Sequence, residues 1–362
     1  MAGLAPDRHA RVLSIIQTAR AKRARFRDPV ITMAHGAGGK ASTALIEGLL
    51  LPALCSPALQ QLGDAASLDV DGAELALTTD SFVVRPLRFP GGSIGELAVN
   101  GTVNDLAVSG ARPLALTLSL VLEEGLDAHE LRAQVDAIAA AAASAGVAVV
   151  AGDTKVVERG HGDGIYICTT GLGVRDRRAR LGAERLAAGD RILVSGAIAE
   201  HGTAIMLARG ELGLQADVES DTRSLWPVVD TLLDAAGDGL RLMRDPTRGG
   251  VASALNEIAR ASALGMLVRE ADVPVAPAVA GAAEILGIDP MYVANEGKLI
   301  AFVAPELAAD ALTALRAMPA GEHAAEIGEV CAEPPGMVLV QTAFGGRRVM
   351  DELVGDPLPR IC

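Results

Sequence analysis

The chain has 362 residues, with 45 Asp and Glu against 32 Lys and Arg for a net charge of −13, and it is 50% apolar. That length suits about two domains, the apolar content excludes a disordered chain, and the acidic field disfavours nucleic acid and anionic membrane as partners. Five Phe, two Tyr and one Trp leave too few rings to stack on bases or glycans.

The first 29 residues form a basic extension holding Arg8, Arg11, Arg20, Lys22, Arg23, Arg25 and Arg27, with Val12, Ile15, Ile16 and Ala19 at helical spacing. It reads as a solvated helix on its own protein or as an arm for an acidic partner. No secretory apolar core follows it, which points to a cytoplasmic protein. The uncharged run 137–152, 16 residues, is too short and too weakly apolar for a bilayer span.

Strand-like alternation at 74–79, 113–122, 147–151 and 164–173 is interrupted by helical patterns at 93–109 and 128–145. These compose an α+β domain over 30–176, with helices on one sheet face. A charged connector at 175–180 leads to a second, α/β-type domain over 185–345. Strands are expected there at 190–195, 266–270, 299–303 and 326–330. Helices are expected at 203–209, 225–236, 250–260 and 305–317.

Cys55, Cys168, Cys331 and Cys362 lie far apart, without Cys-x-x-Cys or histidine clusters, so neither a disulfide framework nor a structural zinc site is indicated. The first three read as small buried hydrophobes. Cys362 is the last residue, so a prenylation signal is excluded by spacing. Its thiol at an ordinary pKa is only about 3% ionised at pH 7. The preceding Pro-containing segment reads as an extended arm, giving a tail over 351–362 with a reach on the order of 25 Å.

The segment His35-Gly36-Ala37-Gly38-Gly39-Lys40 precedes a helical run. Glycines of this kind either let backbone N–H groups approach a phosphate or form a plain loop. It is not a Walker A motif, because Ala34 and Ala41 stand where Gly and Ser or Thr are required. Asp64, Asp80, Asp105 and Asp153 sit beside small residues at expected loops or element ends, and Asp245-Pro-Thr-Arg248-Gly-Gly opens another helix. Each suits a cap or turn by itself, and as a set they offer hard oxygen donors for Mg²⁺ on nucleotide phosphates. Asn104 adjoins Asp105 on its helix. Lys155 and Glu296 are either surface charges or, with the tail folded back, groups able to lower a thiol pKa and remove a proton.

Taken together, the Lys40 loop, Thr-Thr-Asp80-Ser, Asn104-Asp105-Leu-Ala, Gly-Asp153-Thr-Lys155, Asp245-Pro-Thr-Arg-Gly-Gly and Asn-Glu296-Gly-Lys resemble the PurM-like (aminoimidazole-ribonucleotide synthetase) superfamily. With the terminal Pro359-Arg360-Ile361-Cys362, the chain is similar to that superfamily's hydrogenase-maturation branch, the HypE carbamoyl dehydratases. The resemblance implies a two-domain PurM-like α+β fold: an N-terminal sheet domain forming a dimer barrel, a C-terminal α/β domain and a flexible tail. It implies ATP and Mg²⁺ as cofactors, with Asp64, Asp80, Asp105 and Asp245 on the metal and Gly38, Gly39, Lys40, Asn104, Asp153 and Arg248 on the nucleotide.

It further implies that Cys362 carries a carbamoyl group placed there by a carbamoyltransferase, HypF. ATP-dependent dehydration, assisted by Lys155 and Glu296, would turn that group into a thiocyanate. The cyanide would pass to a HypC–HypD iron scaffold of nickel–iron hydrogenase assembly. A related small-molecule kinase and a non-catalytic nucleotide-binding scaffold are the competing expectations. A selenophosphate synthetase is disfavoured because residues 30–40 contain no cysteine.

Overall fold

The computed structural model describes residues 25–54, 56, 58–210 and 213–353. Cys55, Cys362 and the apolar positions Val12, Ile15, Ile16 and Ala19 lie outside the described residues. After a 3-10 turn (Met33–Gly36) the chain forms a short helix, α1 (Lys40–Leu45), which runs through a π-helical turn (Ile46–Leu50) into α2 (Leu51–Leu54).

A five-stranded sheet follows, made of β1 (Ala66–Val70), β2 (Ala73–Phe82), β5 (Ala111–Glu123), β6 (Ala148–Val157) and β7 (Ile165–Arg175) in the order β1-β2-β7-β5-β6. A short hairpin, β3 (Arg88–Phe89) and β4 (Gly92–Ser93), precedes α3 (Ile94–Val108). Only β5 and β6 are parallel, and α4 (Ala128–Ala145) makes the crossover that such a pair requires.

Local chemistry sets these helix ends. The Ser93 hydroxyl accepts from the Glu96 N–H at the start of α3. The Asp127 carboxylate accepts from the N–H groups of His129 and Glu130 at the start of α4, and Gly146, at φ 69°, ends that helix in the left-handed conformation. Almost all of α3 is buried, because the sheet, α4 and the second domain enclose it. Leu97 and Ile94 are wholly inaccessible, each burial contributing about 2 kcal/mol. A built Cβ at Gly101 falls 2.8 Å from the Phe82 ring, so the packing of helix on sheet needs glycine there.

The second sheet has seven strands: β8 (Arg191–Val194), β9 (Leu240–Arg244), β10 (Gly265–Arg269), β11 (Ile300–Val303), β12 (Ala325–Cys331), β13 (Val338–Gln341) and β14 (Arg347–Met350). Their order is β14-β13-β10-β12-β8-β11-β9. Helices α5 (Glu200–Ala208), α7 (Gly250–Ser262) and α8 (Pro277–Leu286) accompany one core, and α6 (Trp226–Ala236) and α9 (Ala308–Arg316) the other. Ala107 and Val108 of α3 belong to the latter core, which joins the two sheets' layers. Among the described residues no helix is long and apolar enough to cross a membrane.

The sequence reading differs from the structure at β6, which continues past residue 151 to Val157. Asp153 and Lys155 therefore lie within a strand rather than at a loop, because β5 offers hydrogen-bonding partners as far as Glu123. Strands β1, β3, β4, β9, β13 and β14 and helix α8 are additional to the expected elements. The helix expected at 305–317 begins at Ala308, after a turn containing Pro305.

Candidate active site

The inner face of β2 carries Thr78, Asp80 and Phe82 against α3, and a Cβ at Gly101 would stand 3.8 Å from an Asp80 carboxylate oxygen. Asp105, one helical turn beyond Gly101, accepts a 2.7 Å hydrogen bond from the Thr78 hydroxyl. Asp64 comes from the segment before β1 and Asp245 from the end of β9. Carboxylate oxygens of Asp64, Asp105 and Asp245 lie within 4.8 Å of one another. The structure thus brings together three of the four expected metal ligands, with Asp80 electrostatically coupled to them.

Such crowding has a predictable electrostatic result. Burial, then Asp64 and Asp80, pushes the Asp245 carboxyl up to about 8. Burial and the charges of Asp245, Asp64 and Asp80 hold Asp105 well above the carboxylate range. Burial also raises Asp64 and Asp80, opposed by Arg244 and Arg248 respectively. Arg244 bonds Asp64 and lies 3.7 Å from Glu257. These are hard oxygen donors of the kind Mg²⁺ takes, and a divalent cation would favour their ionised forms.

A cavity of about 240 Å³ opens beside the cluster, lined by His35, Gly36, Gly38, Asp64, Arg248 and Glu257 among others. Gly38 adopts φ +76°, its N–H donates to the Ser42 hydroxyl, and its carbonyl accepts from Ser253. A Cβ at Gly38 would sit 2.9 Å from Arg248, so loop and arginine are in direct contact. The loop is also clasped from its N-terminal side, where Asp28 lies 3.0 Å from His35 Nε2 and Phe26 meets the His35 ring edge-on. Lys40 pairs with Asp351, and its N–H donates to the Leu353 carbonyl at 3.3 Å. The last described residues therefore lie across the glycine-rich loop.

Glu296 is only 4% exposed. Burial, then Asp245, Asp80 and Asp221, keeps its carboxyl well above the usual range. Asn104 does not face the cavity with a free amide. Its Nδ2 donates to the carbonyls of Glu296 and Arg223, and its Oδ1 accepts from the Leu225 N–H. These bonds brace the layers of the two domains against each other.

Asp153 and Lys155 are likewise not brought to the cluster within one chain. They pair with each other at 2.6 Å on exposed β6, and their register with Ser119 and Val121 puts them on the outer sheet face, opposite Asp80. Three strand spacings, about 14 Å, also separate β6 from β2. Arg244, Thr78, Asp221 and Lys298 belong to the site or its support and were not singled out from sequence. Lys298 closes the Asn-Glu-Gly-Lys motif, whereas Asp221 lies in a polar stretch without periodicity.

The chain matches the AIR synthase related protein family, its N-terminal domain over residues 62–175 and its C-terminal domain over 187–340. It is 48% identical over 337 residues to the carbamoyl dehydratase HypE of Bradyrhizobium diazoefficiens, covering 93% of this chain and 97% of that one. The chain belongs to the HypE family of carbamoyl dehydratases. A crystal structure of a HypE in complex with ATP superposes with a TM-score of 0.76 at 46% identity, covering 92% of this chain and all of that one. A HypE–HypF complex superposes at a TM-score of 0.81 and 42% identity, covering 86% of this chain and all of the HypE-like one. The expected PurM-like α+β fold is thereby established. The HypE relatives span nearly their full length within this chain, and the basic extension is additional to the core motifs.

Proposed function

We propose that this chain uses ATP to dehydrate a carbamoyl group carried on Cys362 to a thiocyanate, supplying cyanide for nickel–iron hydrogenase maturation. One observation carries the reading: the Asp64, Asp105 and Asp245 cluster adjoins the glycine-rich loop on which the root of the C-terminal segment lies, at Leu353. Nine further residues span up to about 28 Å if extended, and Tyr292, four residues from Glu296, donates to the Asp351 carbonyl. The sulfur is within reach of both the nucleotide loop and Glu296.

Asp64, Asp105 and Asp245, with Asp80 beside them, would hold Mg²⁺, which when bound neutralises triphosphate charge. Gly38, Gly39, Lys40 and Arg248 would orient the phosphates. The thiocarbamate oxygen attacks the γ-phosphorus and ADP leaves, turning a poor leaving group into phosphate. Both nitrogen protons must depart, one to solvent water as the oxygen is phosphorylated and the other as the C–O bond breaks and inorganic phosphate leaves. Glu296, buried and with a raised proton affinity, takes the second in its ionised form.

Lys155 would stabilise charge on the departing phosphate from a second copy of the chain, since its own strand faces away. The outer sheet face supports such a homodimer, for it leaves Leu68, Val70, Leu77 and Leu172 at least a third exposed. In this reading Asp153 reaches the nucleotide by the same route. HypF would load the carbamoyl group, a role supported by the relative's complex with HypF, and HypC–HypD would accept the cyanide. The free thiols of Cys168 and Cys331 and the use of ATP suit the cytoplasm.

Intact mass of the C-terminal peptide tests the proposal. With HypF, carbamoyl phosphate and Mg-ATP, the peptide should gain one carbamoyl unit and then lose one water. An unmodified peptide, or one that retains the water while ATP is consumed at the same rate in Cys362→Ala, overturns it.

A further inference from the structure

Asp221 and Lys298 form an ion pair that is almost entirely removed from water, their side chains 0% and 5% exposed, and no step above uses either group. Asp221 lies in the segment that links α5 to α6. Its Oδ1 accepts from the Glu296 N–H at 3.1 Å, and its Oδ2 accepts from the Gly297 N–H at 3.2 Å and from Lys298 Nζ at 3.1 Å. Three successive residues of the Glu296 loop are thus gathered on one carboxylate. Lys298 is held in turn by the Glu200 carboxylate at 2.9 Å.

We infer that Asp221 and Lys298 are positioning residues that fix the backbone presenting Glu296 to the reacting group; the inference rests on the reading of Glu296 as proton acceptor.

The surrounding geometry has the character of a mount. Asp221 holds the Glu296 N–H, while Asn104 of α3 holds the Glu296 carbonyl at 3.0 Å, so both peptide groups flanking its Cα are bonded by side chains from different elements. A Cβ on Gly297 would fall 1.8 Å from the Asp221 carbonyl oxygen, so the loop and the aspartate's own backbone are in closest approach. The same segment is tied to the first domain, through the Ser220 N–H to the Pro90 carbonyl at 2.8 Å and Asn100 Nδ2 to the Thr222 hydroxyl at 3.2 Å. Glu296 therefore stands in register with α3, which carries Asp105.

Stability alone does not account for this pair. Burying two charges costs about as much as their attraction returns, and an apolar pair of similar volume often serves better. A carboxylate that also satisfies two consecutive loop N–H groups specifies the path of that loop in a way no apolar pair can. Asp221 contributes, after burial and the charges of Asp245 and Asp80, to the raised proton affinity of Glu296, so its charge as well as its hydrogen bonds acts on that carboxyl.

The test is steady-state turnover of carbamoylated chain, with HypF, carbamoyl phosphate, Mg-ATP and an excess of a small thiol that takes the cyano group and regenerates the Cys362 thiol, in Asp221→Asn, Glu296→Gln and the double variant. Misplacing a reacting group by a fraction of an ångström to 1 Å costs about 10- to 100-fold, so Asp221→Asn should lose that much in kcat while the KM for ATP stays within about twofold. In the Glu296→Gln background the same change should cost nothing further, because the group it positions is already gone. Should Asp221→Asn fail to fold, the paired variant Asp221→Asn with Lys298→Met removes both charges together and should show the same loss. A full additional loss in the Glu296→Gln background would make Asp221 a general structural residue and overturn the inference. Wild-type turnover in a folded Asp221→Asn or paired variant, beside an inactive Glu296→Gln, would overturn the inference alone. Wild-type turnover in Glu296→Gln would overturn the reading of Glu296 and the inference with it.

Discussion

The ammonium of Lys40 lies 2.8 Å from the carboxylate of Asp351, joining the glycine-rich loop to the chain two residues before the last one described. The lysine expected to meet phosphate is thus already paired, on a surface where both side chains are over a third exposed. Such a pair contributes about 1 kcal/mol or less to stability. Asp351→Ala should therefore melt close to wild type yet bind ATP a few-fold more tightly, since the ammonium is released to the phosphates. Lys40→Ala should weaken ATP more than AMP. Calorimetric titration of both nucleotides checks this, and equal losses for ATP and AMP would remove Lys40 from the triphosphate.

The carboxylate cluster makes stability depend on pH in a definite direction. Asp245 binds its proton up to about 8 in the folded chain against 3.8 ordinarily, so the folded state holds more protons between those values. Its contribution is fully present below about pH 4 and is lost as pH rises through about 8. Cation-free protein should accordingly melt at lower temperature at pH 8.5 than at pH 6. Added Mg²⁺, which prefers the ionised carboxylates, should raise the melting temperature more at pH 8.5. Thermal melts at the two pH values with and without Mg²⁺ measure the effect, and an Mg²⁺ shift independent of pH would detach it from these groups.

Asn104 is only 1% exposed and makes three hydrogen bonds, to the carbonyls of Glu296 and Arg223 and from the Leu225 N–H. Replacing it by Ala strands two carbonyls and one N–H, a cost of about 2–4 kcal/mol. Urea unfolding should show that loss, and Asn104→Ala should lower turnover along with stability. A variant as stable as wild type would mean that water takes over the amide's bonds.

How far the sequence discloses this arrangement depends on whether a residue's partner is local. Helices α3 and α4 are readable because Ser93 and Asp127 cap them and Gly146 ends the latter. Asp64, Asp80, Asp105 and Asp245 are readable as a set because each adjoins glycine, a strand or a helix start. The contacts of Asn104 and Asp221 are not, since their partners lie 119 and 75 residues away or more and nothing near them in sequence hints at those contacts. The end of β6 is hidden for a related reason. Gly152 and Asp153 look like a turn, and only pairing with β5 makes them strand.

Lys155 and Glu296 offer the sharpest division between one chain and two. Lys155 stands on the outer face of β6 while Asp80, which acts on Glu296, faces the inner side of the same sheet. If each site takes Glu296 from one copy and Lys155 from the other, a mixed dimer of Lys155→Ala and Glu296→Gln chains contains one site with both defects and one with neither. Each variant alone should be nearly inactive. Equal amounts mixed and allowed to exchange should recover about a quarter of the wild-type rate, since half the dimers are mixed and each has one intact site. Turnover followed against the ratio of the two variants checks this. Recovery confined to zero at every ratio, in a preparation shown by mass to contain mixed dimers, would place Lys155 and Glu296 in the same chain's site, and wild-type turnover in Lys155→Ala alone would remove Lys155 from the chemistry.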